Sequence, residues 1–261
     1  MTRSPAGTAV LLVAALSACA REVPIVEVNG DCADVNTGQV CTWARTQGEN
    51  VLEAGAVVPL ASIANAPADA QMAWPPVAAA ILALPAAVQQ QTGLHEFTMY
   101  WEAHGHPPAP YMTPHFDFHF YTIAPGERTA IDCSDVSKPS ELAAGYSLPD
   151  QDLPPEMAQM IGVSTLVGIC VPQMGMHSLL SSELESATPF RGSMVLGYYA
   201  TKPIFVEPMV TQAMLMEEKS FTLPIPAIPG ATGNYPRSFR ADYDSTQKSY
   251  RFVFSEFAAG R

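Results

Sequence analysis

Two short runs of this chain alternate polar and apolar residues with a period of two, which leaves little choice of local structure. From Phe97 to His106 the polar positions are Thr98, Tyr100, Glu102, His104 and His106, while Phe97, Met99, Trp101 and Ala103 occupy the intervening ones. From His115 to Tyr121, the residues His115, Asp117, His119 and Tyr121 alternate with Phe116, Phe118 and Phe120. Successive side chains of a strand point to opposite faces, so each run offers an aromatic face to a core and a histidine-carboxylate face away from it. A helical His-x-x-x-His reading would bring His115 and His119 within about 6 Å, but the aromatic alternation favours strand. The segment 107–114 is short enough to return the chain antiparallel. A pairing symmetric about that loop sets His106 opposite His115, His104 opposite Asp117 and Glu102 opposite His119.

Proline agrees with a β-rich chain. There are 24 prolines in 261 residues, nearly twice the usual share of about 5%, which opposes long helices and favours turns. Residues 41–58 read as a strand pair. Residues 193–199 and 204–210 read as a hairpin around Ala200-Thr201-Lys202-Pro203, and 238–243 with 249–257 as another turning at 244–247. Residues 77–91 are rich in Ala, Leu and Gln and read as helical, broken at Pro85. Residues 161–171 are apolar and fit either strand or buried helix. The expected fold is mainly β: a single barrel-like or curved antiparallel sheet domain over 41–261, with one or two short helices, preceded by a tether and disulfide loop over 19–40.

The first eighteen residues read as an export signal. Arg3 is followed by a short apolar run, too short to span a bilayer, which ends in Leu16-Ser17-Ala18-Cys19. That ending resembles the lipobox of bacterial lipoproteins, in which the cysteine is lipidated and the chain cut just before it. The resemblance implies lipidation at Cys19, a membrane partner through the anchor, and a location in the cell envelope. Ordinary secretory cleavage after Ala20 is the alternative. The other four cysteines, Cys32, Cys41, Cys133 and Cys170, form an even set suited to two disulfides in an oxidising compartment. Cys32 and Cys41 flank the turn signal Asn36-Thr37-Gly38 and pair, which leaves Cys133 for Cys170. Lys and Arg number 13 against 25 Asp and Glu. With no basic cluster, nucleic acid is excluded as a partner.

All six histidines bear on function. Five lie between residues 95 and 119 among Glu96, Glu102 and Asp117, and the sixth, His177, follows Met174-Gly175-Met176. Glu207 is the lone acid of an apolar strand, where a carboxylate is costly to bury unless paired or ligated. The expected metal ligands are His104, His106, His115, His119, His177 and Glu207, with Glu102 and Asp117 as catalytic acid-base groups. Such a set suits a divalent transition metal, Zn²⁺ first, with Cu²⁺, Fe²⁺ and Mn²⁺ open. Met174, Met176, Met209, Met214 and Met216 raise copper, although methionines at such spacings more often fill a core. No nucleophile elbow, phosphate-binding loop or dinucleotide fingerprint occurs.

The segments Gly105-His106-Pro107-Pro108, Pro114-His115-Phe116-Asp117-Phe118-His119-Phe120-Tyr121, Gly175-Met176-His177 and Glu207-Pro208-Met209-Val210-Thr211 together resemble an exported bacterial family described only as a domain of unknown function. The likeness covers roughly residues 40–220 and is most specific in the run from Pro114 to Tyr121. It implies a β-rich, barrel-like domain with His106, His115, His119, His177 and Glu207 at shared positions, and no reaction. His104 and the lipoprotein start depart from the family pattern. The functional expectation is a membrane-tethered envelope protein whose histidine pocket binds one divalent metal and acts on a small molecule by hydrolysis, lyase or oxygen chemistry. A metal-free binding or assembly lipoprotein, with homo-oligomers open, and envelope copper binding are the alternatives.

Overall fold

The computed structural model describes residues 23–259. The export signal and Cys19 lie outside the described residues. Strands β1 (Ile25–Val35), β2 (Gly38–Gln47), β3 (Asn50–Pro59), β4 (Ala80–Ala83), β5 (Glu96–Glu102) and β6 (His115–Tyr121) form the first half of the chain. Then come β7 (Tyr146–Ser147), β8 (Gln151–Asp152), β9 (Thr165–Leu166), β10 (Met176–Leu180), β11 (Gly192–Tyr199) and β12 (Lys202–Thr211). The last are β13 (Phe221–Thr222), β14 (Asn234–Tyr235), β15 (Ser238–Asp244), β16 (Ser249–Ser255) and β17 (Ala258–Ala259). One antiparallel sheet has the order β1-β2-β3-β16-β15-β13, and the other β4-β5-β6-β12-β11-β10-β7. Neither closes on itself, so the domain is a pair of open sheets and not a barrel. Six short α-helices occur among the described residues, more than the one or two expected.

The sheets pack with their aromatic faces together. Phe118 meets Phe252 at a centroid distance of 4.6 Å and Phe120 meets Phe254 at 4.7 Å, both nearly edge to face, the arrangement that aromatic quadrupoles favour. At one edge β4 approaches β1 and β2 without a ladder. The Thr42 hydroxyl donates to the Ala83 carbonyl at 2.6 Å and Asp31 accepts from the Ala83 amide at 3.2 Å. Side chains thus satisfy backbone groups where a barrel would have continued its pairing.

Two segments depart from expectation. Most of the expected tether is β1, paired with β2 from Ile25↔Gln47 to Val35↔Gly38. It is an exposed edge strand held by backbone bonds and the Cys32–Cys41 disulfide, so it lacks the buried stripe that marks a strand in sequence. Within 77–91 the first half is β4, because Ala80, Leu82 and Leu84 turn into the core while Ile81 stays exposed. Helix propensity yields there to packing. Only Ala86–Gln91 is helical, and Pro85 sits at its N-cap. The hairpins over β11–β12 and β15–β16 fall where turn chemistry puts them, the first turning through Ala200 and Thr201 with φ of 47° and 68°.

Cys133 is bonded to Cys170, the pairing that follows once Cys32 is joined to Cys41. This bridge ties two stretches of the long, loop-rich connection that covers the outer face of the second sheet. Two disulfides fit an oxidising, exported environment. No helix among the described residues is long and apolar enough to cross a membrane.

Candidate metal centre

The outer face of the second sheet carries the chemistry. β5 and β6 pair with Glu102↔His115, Tyr100↔Asp117 and Thr98↔His119. This register is four residues away from the symmetric one, because β5 ends at Glu102 and the turn begins at Ala103. A shift by an even number leaves every side chain on its expected face. His115, Asp117 and His119 therefore still project together, opposite the aromatic core. His106 reaches them from the loop and not from the strand. His104 is exposed and belongs to neither group described below.

Two groups of possible metal ligands result, one of His106, His115 and Asp117, the other of His119, His177 and Glu207. In the first, the Nε2 atoms of His106 and His115 are 3.1 Å apart, and His115 Nε2 is 3.2 Å from Asp117 Oδ1. His106 Nε2 lies 3.9 Å from Asp117 Oδ2. In the second, His119 Nε2 is 3.4 Å from His177 Nε2 and 3.5 Å from Glu207 Oε2. With metal–nitrogen bonds of about 2.0–2.1 Å, two ligands of a tetrahedral ion lie about 3.3 Å apart. These triangles have the dimensions of coordination shells.

The rings are oriented for the task. Nδ1 of His106 faces the Pro107 carbonyl at 2.9 Å, that of His115 the Thr113 carbonyl at 2.6 Å, and that of His177 the Ile169 carbonyl at 2.9 Å. A carbonyl only accepts, so each Nδ1 carries the proton and, in the neutral ring, Nε2 is left with a lone pair aimed into its group. Packing fixes the planes further: Phe190 stands edge-on to His115, and Phe205 packs on His119 and His177. Gly197, paired with His177 across β10 and β11, makes room for that ring, since a Cβ there would fall 2.0 Å from Phe205.

Burial without partners is the second sign of a ligand site. His115, His119 and Glu207 are buried, and Asp117 is only 6% exposed. Asp117 Oδ1, His119 Nδ1 and Glu207 Oε2 have no hydrogen-bond partner. Leaving such groups unpaired is costly.

The charges respond accordingly. Burial, then the charges of Asp117 and Glu102, holds Glu207 well above the usual carboxylate range. Burial, then Asp117, raises Glu102 to about 8. Burial alone would raise Asp117, but His115 and the other imidazoles outweigh it and hold that carboxyl below its ordinary value. His115 is raised in return: burial opposes its charge, and the Asp117 carboxylate overcomes burial. Burial, then His115, depresses His106 to about 4. Burial lowers His177, and burial followed by His177 lowers His119.

Comparison with family models, curated proteins and solved structures returns no match.

A cavity of about 370 Å³ opens over the site. His106, Asp117 and His177 form part of its wall, with Glu102 and His104 beside them, and Trp74, Trp101, Met157, Val171 and Met174 make much of the rest apolar. Glu102 stands in neither ligand group, whereas Asp117, expected as a base, lies within ligand distance of two imidazoles. Met176 is in the core between the sheets and Met174 packs with Tyr100 and Val171, so neither belongs to the histidine groups. Sequence reasoning missed Trp74, which comes from a loop, and Met157, which comes from the short helix Pro155–Ile161. The Trp74-Pro75-Pro76 run was the available signal, a large aromatic in a segment that cannot continue a ladder.

Proposed function

We propose that this protein is an exported, membrane-tethered metalloprotein whose histidine-carboxylate centre holds a divalent transition ion, zinc first, and acts on a small molecule in the adjoining cavity. The likeness to the exported family of unknown function, and Cys19 as a lipidated anchor, belong to the same reading. The observation that carries it is the match between ligand-atom spacing and a coordination shell, with the tautomers of His106, His115 and His177 fixed by backbone carbonyls. Bound zinc would polarise a substrate oxygen or lower the pKa of a water to about 7. Asp117 and the imidazoles hold the ion. Glu102, at the cavity wall and kept protonated near neutral pH by burial and Asp117, is available to give a proton to a molecule bound in the cavity, as a general acid does. The apolar wall selects an organic molecule with a largely apolar body and excludes bulk water from the face beneath it.

Elemental analysis of the purified mature protein is expected to show stoichiometric metal, and zinc added to the stripped protein is expected to raise its melting temperature. At a thousand times Kd the stabilisation is about 4 kcal/mol. No bound metal, together with melting unchanged by Zn²⁺, Fe²⁺, Mn²⁺ or Cu²⁺, would leave a metal-free pocket. The anchor has its own test. Cys19→Ser is expected to move the protein from the membrane fraction to the soluble one, and unchanged membrane association would remove lipidation from the reading.

A further inference from the structure

We infer that the centre holds two ions and not one: an exchangeable ion at the cavity, bound by His106, His115 and Asp117, and an enclosed ion bound by His119, His177 and Glu207. The inference rests on the metal-binding reading above and deepens it.

Strand geometry separates the groups. His115 and His119 are four residues apart on β6, so their Cα atoms lie about 13 Å apart at 3.3 Å per residue. Both rings stand on the same face of the sheet, and no single ion makes bonds of about 2 Å to both. Each group has a complete ligand set of its own, two imidazoles and one carboxylate whose ligand atoms lie within 4.8 Å of one another. The second group is not a satisfied hydrogen-bond cluster, because Glu207 Oε2, the oxygen 3.5 Å from His119 Nε2, is buried and unpartnered. Asp117 and Glu207 offset two of the four positive charges of two divalent ions, and Glu102 offsets a third once it gives up its proton.

The groups differ in access. His106 and Asp117 both border the cavity, which gives the first ion an open side for solvent or ligand. In the second group His119 and Glu207 are buried away from it, and only His177 reaches the cavity wall. The first ion is thus placed to exchange and to meet a substrate. The second is placed to tie β6, β12 and β10 together, one ligand coming from each strand.

The test loads the full mature chain with zinc, removes free ion by dialysis and counts zinc per chain. Wild type is expected to hold two, Asp117→Asn one and Glu207→Gln one. Brief exposure of the wild type to EDTA is expected to leave one, and the same exposure of Glu207→Gln none. If Glu207→Gln does not fold, His177→Gln removes a ligand from the same group and carries the same expectation. A single zinc in the wild type overturns the two-ion inference while the metal-binding reading stands, and no zinc overturns both. Two ions that persist unchanged in both variants place the metals elsewhere and overturn the assignment. Loss of both wild-type ions together to EDTA overturns the division into exchangeable and enclosed.

Discussion

Arg128→Met is expected to cost about 3–5 kcal/mol of folding stability, more than most single changes, because it leaves a buried carboxylate without its cation. Arg128 and Glu96 are both buried and joined through the guanidinium Nε. The same guanidinium donates to the Gln173 carbonyl at 3.1 Å and lies over the Tyr121 ring. One side chain therefore joins the start of β5, the end of β6 and the loop leading to His177. Urea unfolding of the single variant and of Glu96→Gln/Arg128→Met checks this. The double variant is expected to recover much of the loss, since no buried charge then stands alone. A single-variant loss under 1 kcal/mol would mean that Glu96 finds water or another cation.

The metal-free protein is expected to lose stability steadily as pH rises from 6.5 to 8. Burial and the neighbouring carboxylates raise Glu102 to about 8 and hold Glu207 well above its ordinary value of 4.5. Above pH 4.5 the unfolded chain has released these protons while the folded chain keeps them. The stability they represent is full below 4.5 and is lost as pH climbs through the folded values, at about 1.4 kcal/mol per unit for each group. For Glu102 alone the loss between 6.5 and 8 is about 2 kcal/mol, and Glu207 adds to it in the same direction. The depressed values of His106, His119 and His177 act on the other side. Their contribution is fully present only above about 7.5 and falls away as pH drops through 6.5 towards their folded values, so it offsets about 1 kcal/mol of the alkaline loss, most of it close to 6.5. Zinc is expected to reverse the alkaline trend, since it takes the carboxylate and the unprotonated imidazole. Thermal melts of stripped and zinc-loaded protein across this range check the sign. A stripped protein that gains stability from 6.5 to 8 would show that the carboxyls are not held protonated.

The strands were legible where their side chains are buried. Alternation found β5 and β6, and apolar runs on either side of turn residues found β11, β12, β15 and β16. Neither pattern could find β1, whose side chains are mostly exposed, or β4, whose Ala and Leu favour helix in isolation. The site was legible as a set of residue types: His106, His115, Asp117, His119, His177 and Glu207 all come to one face. Its division into two groups was not, because that depends on a register shifted by four and on a loop that folds His106 back over His115. Nor could spacing show the carbonyls of Pro107, Thr113 and Ile169 behind the imidazoles, since a backbone acceptor leaves no mark in sequence.

The bond between Cys133 and Cys170 couples the redox state of the chain to the second ligand group. Cys170 follows Ile169, whose carbonyl faces Nδ1 of the His177 ring. Before that bond forms, the loop bearing the carbonyl lacks a closure worth about 2–4 kcal/mol, and the ring is held less firmly in its ligating orientation. On the proposed metal-binding reading, the oxidised chain is therefore expected to hold zinc in that group more tightly than the reduced one.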